Sequence, residues 1–337
     1  MGPPVTEVER IAAWLVQAGE PVRGPLTMRL IAGGLSNLTY AVGDGAGSRW
    51  VLRRPPHSAL PSAHNVAREA RIMAALAGTD VPVPRVVGVC TDVGVVGAPF
   101  FVMDFVDGSV VATFDEGGAL PVSARAAASA DLIDVLAAVH SVDVDAVGLG
   151  DLGPRADYLE RQLRRWLRQF ASSTQRSVPL IDEVHAMLAA RIPPQRRTGL
   201  VHGDYRMGNV LVDPEGSVQA VLDWELAALG DTMADLGWLL ATWRDVGEPE
   251  LYPSPSGHPG SLGRAEMASL YASSTGADVS DLPWYVSFSL WRLACIHEGI
   301  YARYRSGAMG DDHTVDVEGE AQKVLVLAEA ARQAYAL

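Results

Sequence analysis

Three side chains set the chemistry this chain could do: Asp204, Asn209 five positions later, and Asp223, each beside a short apolar run. Moving a phosphoryl group onto a hydroxyl needs a carboxylate next to the incoming oxygen, and oxygen ligands that hold magnesium against nucleotide phosphates. Asp204 is the candidate for the first task, Asn209 and Asp223 for the second. The loop between His202 and Asn209 can turn the Asp204 carboxylate toward a substrate while Asn209 faces a metal. Asp223 ends a predicted strand over 217–222. That strand is joined to another over 209–212 through Asp213-Pro214-Glu215-Gly216, where Pro and Gly suit a tight connection. A hairpin returning Asp223 toward Asn209 is what a shared magnesium requires, because that small ion takes one or two protein carboxylates and fills its shell with phosphate oxygens and water. His202 reads as a hydrogen-bonded structural residue. Asp235 opens a predicted apolar helix over 236–243 and reads as an N-terminal helix carboxylate.

Composition narrows the options. A chain of 337 residues can build two lobes with substantial cores, and a formal charge of −13 argues against nucleic acid or an anionic membrane as partner. Two cysteines, Cys90 and Cys295, make no disulfide framework. The amphipathic start, with Glu7, Glu9 and Arg10 among Val8, Ile11 and Leu15, suits a surface helix rather than a signal peptide. Residues 86–103 are weakly charged, but their glycines, Pro99 and β-branched residues fit two strands and a turn, so no membrane span and a cytoplasmic location are expected. The only lysine is Lys323, which excludes a phosphate-binding loop of the Gly-Lys-Ser/Thr kind.

The wording His202-Gly203-Asp204-Tyr205-Arg206, Leu222-Asp223-Trp224-Glu225, Gly230-Asp231 and Ala234-Asp235-Leu236 resembles the aminoglycoside phosphotransferase and choline kinase branch of the protein-kinase-like fold. That branch has His-Gly-Asp where protein kinases have His-Arg-Asp, and a bare aspartate in place of Asp-Phe-Gly. The wording is most similar to the bacterial group related to the kinase domain of acyl-CoA dehydrogenase family proteins. The resemblance runs from about Leu30 to the C-terminus, specific in the catalytic loop and weak in the substrate region. It implies an α+β, bilobal fold: an antiparallel-sheet N-terminal lobe over 1–105 and a mainly helical C-terminal lobe over 106–337. It also implies that His202 braces the loop, that Asp235 bonds the loop backbone, and that Asp104, Phe105 and Val106 form a hinge meeting adenine, with Met103 nearby.

In such a fold the phosphate-binding lysine of the third strand must be replaced, and Arg53 is the candidate. Strands are predicted over 27–32, 38–42 and 49–53, the last ended by Pro55-Pro56. Arg53 shares a face with Val51, and period two turns Arg54 to the other face. A helix over 64–76 carries Glu69 in its second turn, giving an Arg53–Glu69 pair whose guanidinium fork suits carboxylate and phosphate. The turn Gly33-Gly34-Leu35-Ser36-Asn37, with its amides, Ser36 and Asn37, is placed to cover terminal phosphates. The last strand of this lobe is predicted over 98–105.

Beyond the hinge, helices are predicted over 124–139, 155–170 and 283–304, and a Pro/Ser/Gly-rich loop over 248–263. The helix over 155–170 gathers Arg161, Arg164, Arg165 and Arg168, either a solvated face or an anion-binding one for a substrate such as coenzyme A. Trp243, Trp291 and Tyr301 read either as core aromatics or, with Arg292, as residues along the acceptor's path. His297-Glu298 does not make a zinc helix, because position 301 is tyrosine.

The expected activity is ATP-dependent transfer to a hydroxyl of a small molecule, a hydroxyacyl-CoA among the acceptor classes, with Mg2+ as cofactor and GTP left open as donor. The alternatives are an aminoglycoside or other antibiotic O-phosphotransferase and a catalytically silent nucleotide-binding module. Oligomeric state is not assigned.

Overall fold

The continuous apolar run Trp50-Val51-Leu52 suits a strand buried on both faces, and that strand organises the first of two compact units. A computed structural model describes residues 6–33, 37–56, 63–307 and 316–335. One unit comprises Met1–Ser109 and Gln219–Glu225, the other Val110–Val218 and Leu226–Leu337.

The first unit begins with helix α1, Glu7–Gln17, started by a Thr6–Glu9 capping box. Strands β1 (Thr27–Gly33), β2 (Leu38–Asp44) and β3 (Gly47–Arg54) follow, then helix α2 (Ala63–Leu76), strand β4 (Val86–Cys90), the single-turn helix α3 (Val93–Val96) and strand β5 (Phe100–Asp104). The five strands form one antiparallel sheet in the order β1-β2-β3-β5-β4, so β3 lies at its centre. Trp50 and Leu52 join Ile11 and Leu15 of α1 in one core cluster, while Val51 and Arg53 point to the other face. On α2 the buried positions 66, 69, 70, 73 and 76 trace one helical stripe, which fixes Glu69 inward. The predicted strand–turn–strand over 86–103 contains α3 instead of a plain turn. Asp92 accepts from the Gly94 amide at 2.8 Å to start that helix, and left-handed Gly97 ends it. No helix among the described residues is long and apolar enough to cross a membrane.

The second unit is mainly helical. Its elements are α4 (Phe114–Ala119), α5 (Val122–Ser141), α6 (Tyr158–Ser173), α7 (Pro179–Ala189), strands β6 (Thr198–Val201), β7 (Val210–Val212), β8 (Val218–Val221) and β9 (Ala228–Asp231), then α8 (Met233–Ala241), α9 (Arg264–Thr275), α10 (Leu282–Arg305) and α11 (Val317–Tyr335). Residues 219–221 of β8 group with the first unit. β6 pairs antiparallel with β9, bracketing the loop that carries Asp204. The hairpin turn before β8 is held by the Asp213 carboxylate, which accepts from the amides of Glu215 and Ser217 at 3.1 and 2.8 Å.

Helix α10 is buried along most of its length and packs on α6, α7, α8 and α11. Its Glu298, with no exposed surface, accepts from Thr174 (2.8 Å) and from two nitrogens of Arg176 (3.0 and 2.8 Å), and Arg176 also reaches the Ala321 carbonyl on α11. Helix α6 starts three residues later than its periodicity suggests. Asp157 adopts a left-handed conformation (φ 52°), and Arg155 is drawn away to pair with Asp145.

Candidate active site

In the first unit the central strand delivers Arg53 to two carboxylates. Its Nη1 lies 2.5 Å from Glu69 Oε1 and its Nη2 3.1 Å from Asp223 Oδ1. Burial pushes the Glu69 carboxyl up to about 7; the Arg53 charge opposes this, and Asp223 and Glu225 reinforce it. Burial also acts against the Arg53 charge, but Glu69 and Asp223 outweigh it, so the guanidinium stays protonated. Arg54 leaves the opposite face of β3 and donates to the Val96 carbonyl at 2.8 Å, with Glu7 at 3.4 Å.

Asp223 is held on this unit by its neighbours. The Val221 amide donates to the Pro82 carbonyl at 2.8 Å, and the fully buried Trp224 donates to the Val221 carbonyl at 3.1 Å. Asp223 itself is left-handed (φ 64°), a conformation that aspartate tolerates better than most residues, and its carboxylate is about one-third exposed. Asn37 Nδ2 lies 3.4 Å from Glu225 Oε2, and Arg68 donates to the Glu225 carbonyl. Ser36 lies outside the described residues. Met103 is buried opposite Val51 in the ladder. The Asp104 and Phe105 amides donate to the carbonyls of Arg85 and Arg49, and Val106 follows the strand.

The second unit builds the loop around Asp204 from a buried carboxylate outward. Asp235, 1% exposed on the first turn of α8, accepts from the amides of His202 (2.6 Å) and Gly203 (2.8 Å) and faces His140 Nε2 at 3.3 Å. Burial would raise its pKa, but the His140 contact and the amide donors outweigh this and hold it below the ordinary carboxylate value. Gly203 has φ 85°, and a Cβ there would meet the Leu226 carbonyl oxygen at 2.8 Å. That is the physical reason for glycine between His202 and Asp204. The His202 ring accepts from the Asp204 amide at 3.2 Å, and the Tyr205 hydroxyl anchors the next residue on the Leu132 carbonyl.

Both Asp204 carboxylate oxygens receive donors. Oδ1 accepts from Trp238 Nε1 at 2.8 Å, and Oδ2 from Asn209 Nδ2 at 2.7 Å. Asn209 closes a 3-10 turn, Met207–Asn209, one residue before β7 rather than opening the strand. The turn aims its side chain back at Asp204. Arg292 donates to the Gly203 carbonyl at 2.8 Å, and its guanidinium lies over the rings of Trp238 (4.1 Å) and Trp166 (5.0 Å). Arg206 Nε stands 3.6 Å from Asp204 Oδ1.

Trp238 and Arg206 were absent from the sequence-derived candidates. The signal for Trp238 lay in the spacing: it is one helical turn beyond Asp235, so a helix that presents Asp235 to the loop presents Trp238 there too.

The remaining candidates lie elsewhere in the second unit. Trp243 and Trp291 are buried and donate their indole N–H groups to the carbonyls of Leu262 and Ile181. Tyr301 stacks with Arg176. Arg161 donates to the Pro154 carbonyl, while the exposed Arg165 lies over the Trp166 ring. None of these groups makes a hydrogen bond or ion pair with Asp204, Asn209 or Trp238 among the described residues. Residues 242–263 form a long irregular loop pinned by Arg264, which donates to the carbonyls of Leu240 and Trp243 and to Glu248. Among the described residues no three His, Cys, Asp or Glu side chains gather as a metal site. A magnesium held by one amide oxygen, one carboxylate and phosphate oxygens does not require such a group.

The model of the phosphotransferase enzyme family matches residues 27–268. Mouse acyl-CoA dehydrogenase family member 10 is 36% identical over 291 residues, 84% of this chain and 27% of that protein, so the chain spans about a quarter of that relative's length. A crystal structure from Ralstonia eutropha, provisionally assigned as an aminoglycoside phosphotransferase, superposes with a TM-score of 0.82 at 32% identity, covering 97% of each chain. A streptomycin–ATP complex of the aminoglycoside phosphotransferase APH(2")-IIa superposes with a TM-score of 0.60 at 13% identity, over 88% of this chain and 91% of that one. The fold is therefore the α+β, protein-kinase-like fold of these enzymes, and the chain belongs to the phosphotransferase enzyme family.

Proposed function

We propose that the chain is an ATP-dependent small-molecule kinase that transfers the γ-phosphoryl group to an acceptor hydroxyl, with hydroxyacyl-CoA as the acceptor class. The observation that carries the reading is the Asp204 carboxylate, aimed by one donor on each oxygen within a loop braced by Asp235. Asp204 accepts the hydroxyl proton; the new O–P bond forms as the bond between the γ-phosphorus and the β–γ bridging oxygen breaks, and the nucleoside diphosphate leaves. Asn209 and Asp223 are the residues that would hold magnesium, which when bound neutralises charge developing on the phosphates. Arg53, oriented by Glu69, binds phosphate oxygens. The Asp104 and Phe105 amides are already engaged by carbonyls, so adenine is met by the Val106 amide and the hinge carbonyls. ATP in the APH(2")-IIa complex supports the donor, and the dehydrogenase relative supports the acyl-CoA acceptor. A nucleoside triphosphate donor goes with a cytosolic location.

The test is phosphoryl transfer from magnesium-ATP to hydroxyacyl-CoA, amino sugars, choline-like alcohols and simple sugars. Turnover of the first class above the others is expected; magnesium-dependent nucleotide binding with no transfer to any acceptor would mean a silent binding module. Asp223→Ala is expected to abolish the magnesium dependence of nucleotide affinity, and an unchanged response would move the metal site elsewhere.

A second expectation separates adjacent residues. Arg53→Ala should weaken ATP binding by about 10- to 100-fold, the scale of losing charge-assisted hydrogen bonds, whereas Arg54→Ala should change it by less than about 2-fold. Arg53→Lys should retain part of the affinity. Calorimetric titration below the unfolding range checks all three, and equal losses for positions 53 and 54 would reject the phosphate role of Arg53.

A further inference from the structure

Arg206 is the cation nearest the Asp204 carboxylate, and nothing in the mechanism above uses it. Its contacts differ from those of two other partly buried arginines of this unit. Arg176 and Arg264 each donate several hydrogen bonds. The Arg206 guanidinium donates none among the described residues: its buried Nε faces Asp204 Oδ1 at 3.6 Å, an ion-pair distance beyond hydrogen-bond reach. The Nε of Arg292 is buried and unmatched as well, but Arg292 spends a terminal N–H on the Gly203 carbonyl, whereas Arg206 donates to nothing among the described residues.

The surroundings hold the head group in place. Tyr252 lies beneath it, with the guanidinium carbon 5.9 Å from the ring centre. Gly208, two residues on, leaves the space it fills: a Cβ at position 208 would stand 2.3 Å from Arg206 Nη1 and 3.2 Å from both its guanidinium carbon and the Ala112 Cβ. Asn209 must follow directly to reach Asp204, so glycine at 208 lets one turn carry both the asparagine and a bulky cation.

We propose that Arg206 receives the acyl oxygen of the acceptor, and so selects hydroxyl compounds that carry a carbonyl or carboxylate a few bonds from the reacting hydroxyl. This rests on Asp204 as the base of the proposed reaction. A hydroxyl hydrogen-bonded to Asp204 brings its nearby carbonyl within reach of a guanidinium fork beside the same carboxylate. The unused N–H groups suit an oxygen with two lone pairs. The same charge disfavours an ammonium group next to the hydroxyl, and Arg292, buried behind Trp238, adds a second positive charge to this side of the loop. Amino sugars are therefore poor acceptors for this chain, although a solved structure 32% identical to it is provisionally assigned to that activity.

The experiment compares wild type, Arg206→Gln and Gly208→Ala on the whole chain, the last displacing the guanidinium without altering it. A hydroxybutyryl thioester of N-acetylcysteamine and butanediol serve as matched acceptors with and without the acyl oxygen. Both variants are expected to lower the ratio of kcat/KM for thioester over diol by about 10- to 100-fold, the range for a hydrogen bond to a charged group. Thermal unfolding verifies that both variants fold. An equal loss for thioester and diol would place Arg206 on the transferring phosphoryl group and overturn the proposal, as would faster phosphorylation of an amino sugar than of the thioester. Binding of butyryl-N-acetylcysteamine, which has no hydroxyl to phosphorylate, gives a readout free of turnover. Wild type should bind it about tenfold or more tightly than Arg206→Gln; equal affinity would refute the acyl-oxygen role even if every acceptor proved inert and the kinase reading had failed.

Discussion

Replacing Asp204 by asparagine is expected to lower turnover by at least about a hundredfold while leaving nucleotide affinity and the unfolding temperature near their original values, the loss typical of a positioned general base. The substitution keeps the volume but exchanges one acceptor oxygen for an amide nitrogen. That nitrogen must then face either Trp238 Nε1 or Asn209 Nδ2, both donors at 2.7–2.8 Å in the native arrangement. The side chain will rotate or tilt, and no orientation restores a group that takes the hydroxyl proton. Single-turnover transfer from labelled ATP measures the effect directly. A rate within a few-fold of wild type would remove Asp204 from the chemistry and leave Asn209 and Trp238 as partners of a structural aspartate.

The largest loss of stability is expected at Asp235. Alanine there leaves the amides of His202 and Gly203 without acceptors in a site closed to water and removes the Asp235 partner of His140 Nε2, a cost of about 3–5 kcal/mol. For a chain of this size that corresponds to a fall in Tm of roughly 4–7 °C. The pH dependence has a definite sign. The folded-state pKa of Asp235 lies below the ordinary 3.8, so its stabilisation is complete above that value and is lost as pH falls through the lowered one. The gap in Tm between wild type and Asp235→Ala should thus be widest at neutral pH and narrow in strong acid. A constant gap down to the acid transition, or less than a degree of difference at pH 7, would show that the loop is held by other contacts.

Much of this architecture was legible in the chain itself. The strands around Trp50 and Phe101, the helix carrying Glu69 and the long α10 follow from period-two and helical burial patterns, and the α+β fold followed from the wording around Asp204 and Asp223. Local irregularities were less legible because they depend on single backbone states: Asp157 delays α6, and Asp92 with Gly97 makes a helix out of a predicted turn. Trp238 was missed for another reason. Its meeting with Asp204 joins residues 34 positions apart, and in sequence it is one more apolar residue in an apolar helix. Trp243 and Trp291 carry the same residue type in similar settings but spend their indoles on core carbonyls, so composition could not separate them from Trp238. Arg206 posed the opposite difficulty: its neighbours in sequence are informative, but only the fold shows that Gly208 and Tyr252 shape the space it occupies.

The arginine near the end of the central strand β3, where the resemblance leads one to expect lysine, has a consequence beyond binding strength. Lys323, on α11 and paired with Glu320 at 2.9 Å, is the only side-chain amine in the chain. Acylating reagents that report nucleotide sites by attacking an amine find none on β3, whose cations are Arg49, Arg53 and Arg54; the Arg53 guanidinium remains protonated far above the lysine value of about 10.4 and does not acylate under such conditions. On the proposed phosphate role of Arg53, amine-directed labelling of kinases would pass over this chain even with nucleotide bound. An arginine-directed dicarbonyl, with ATP as the protecting ligand, is the reagent matched to it.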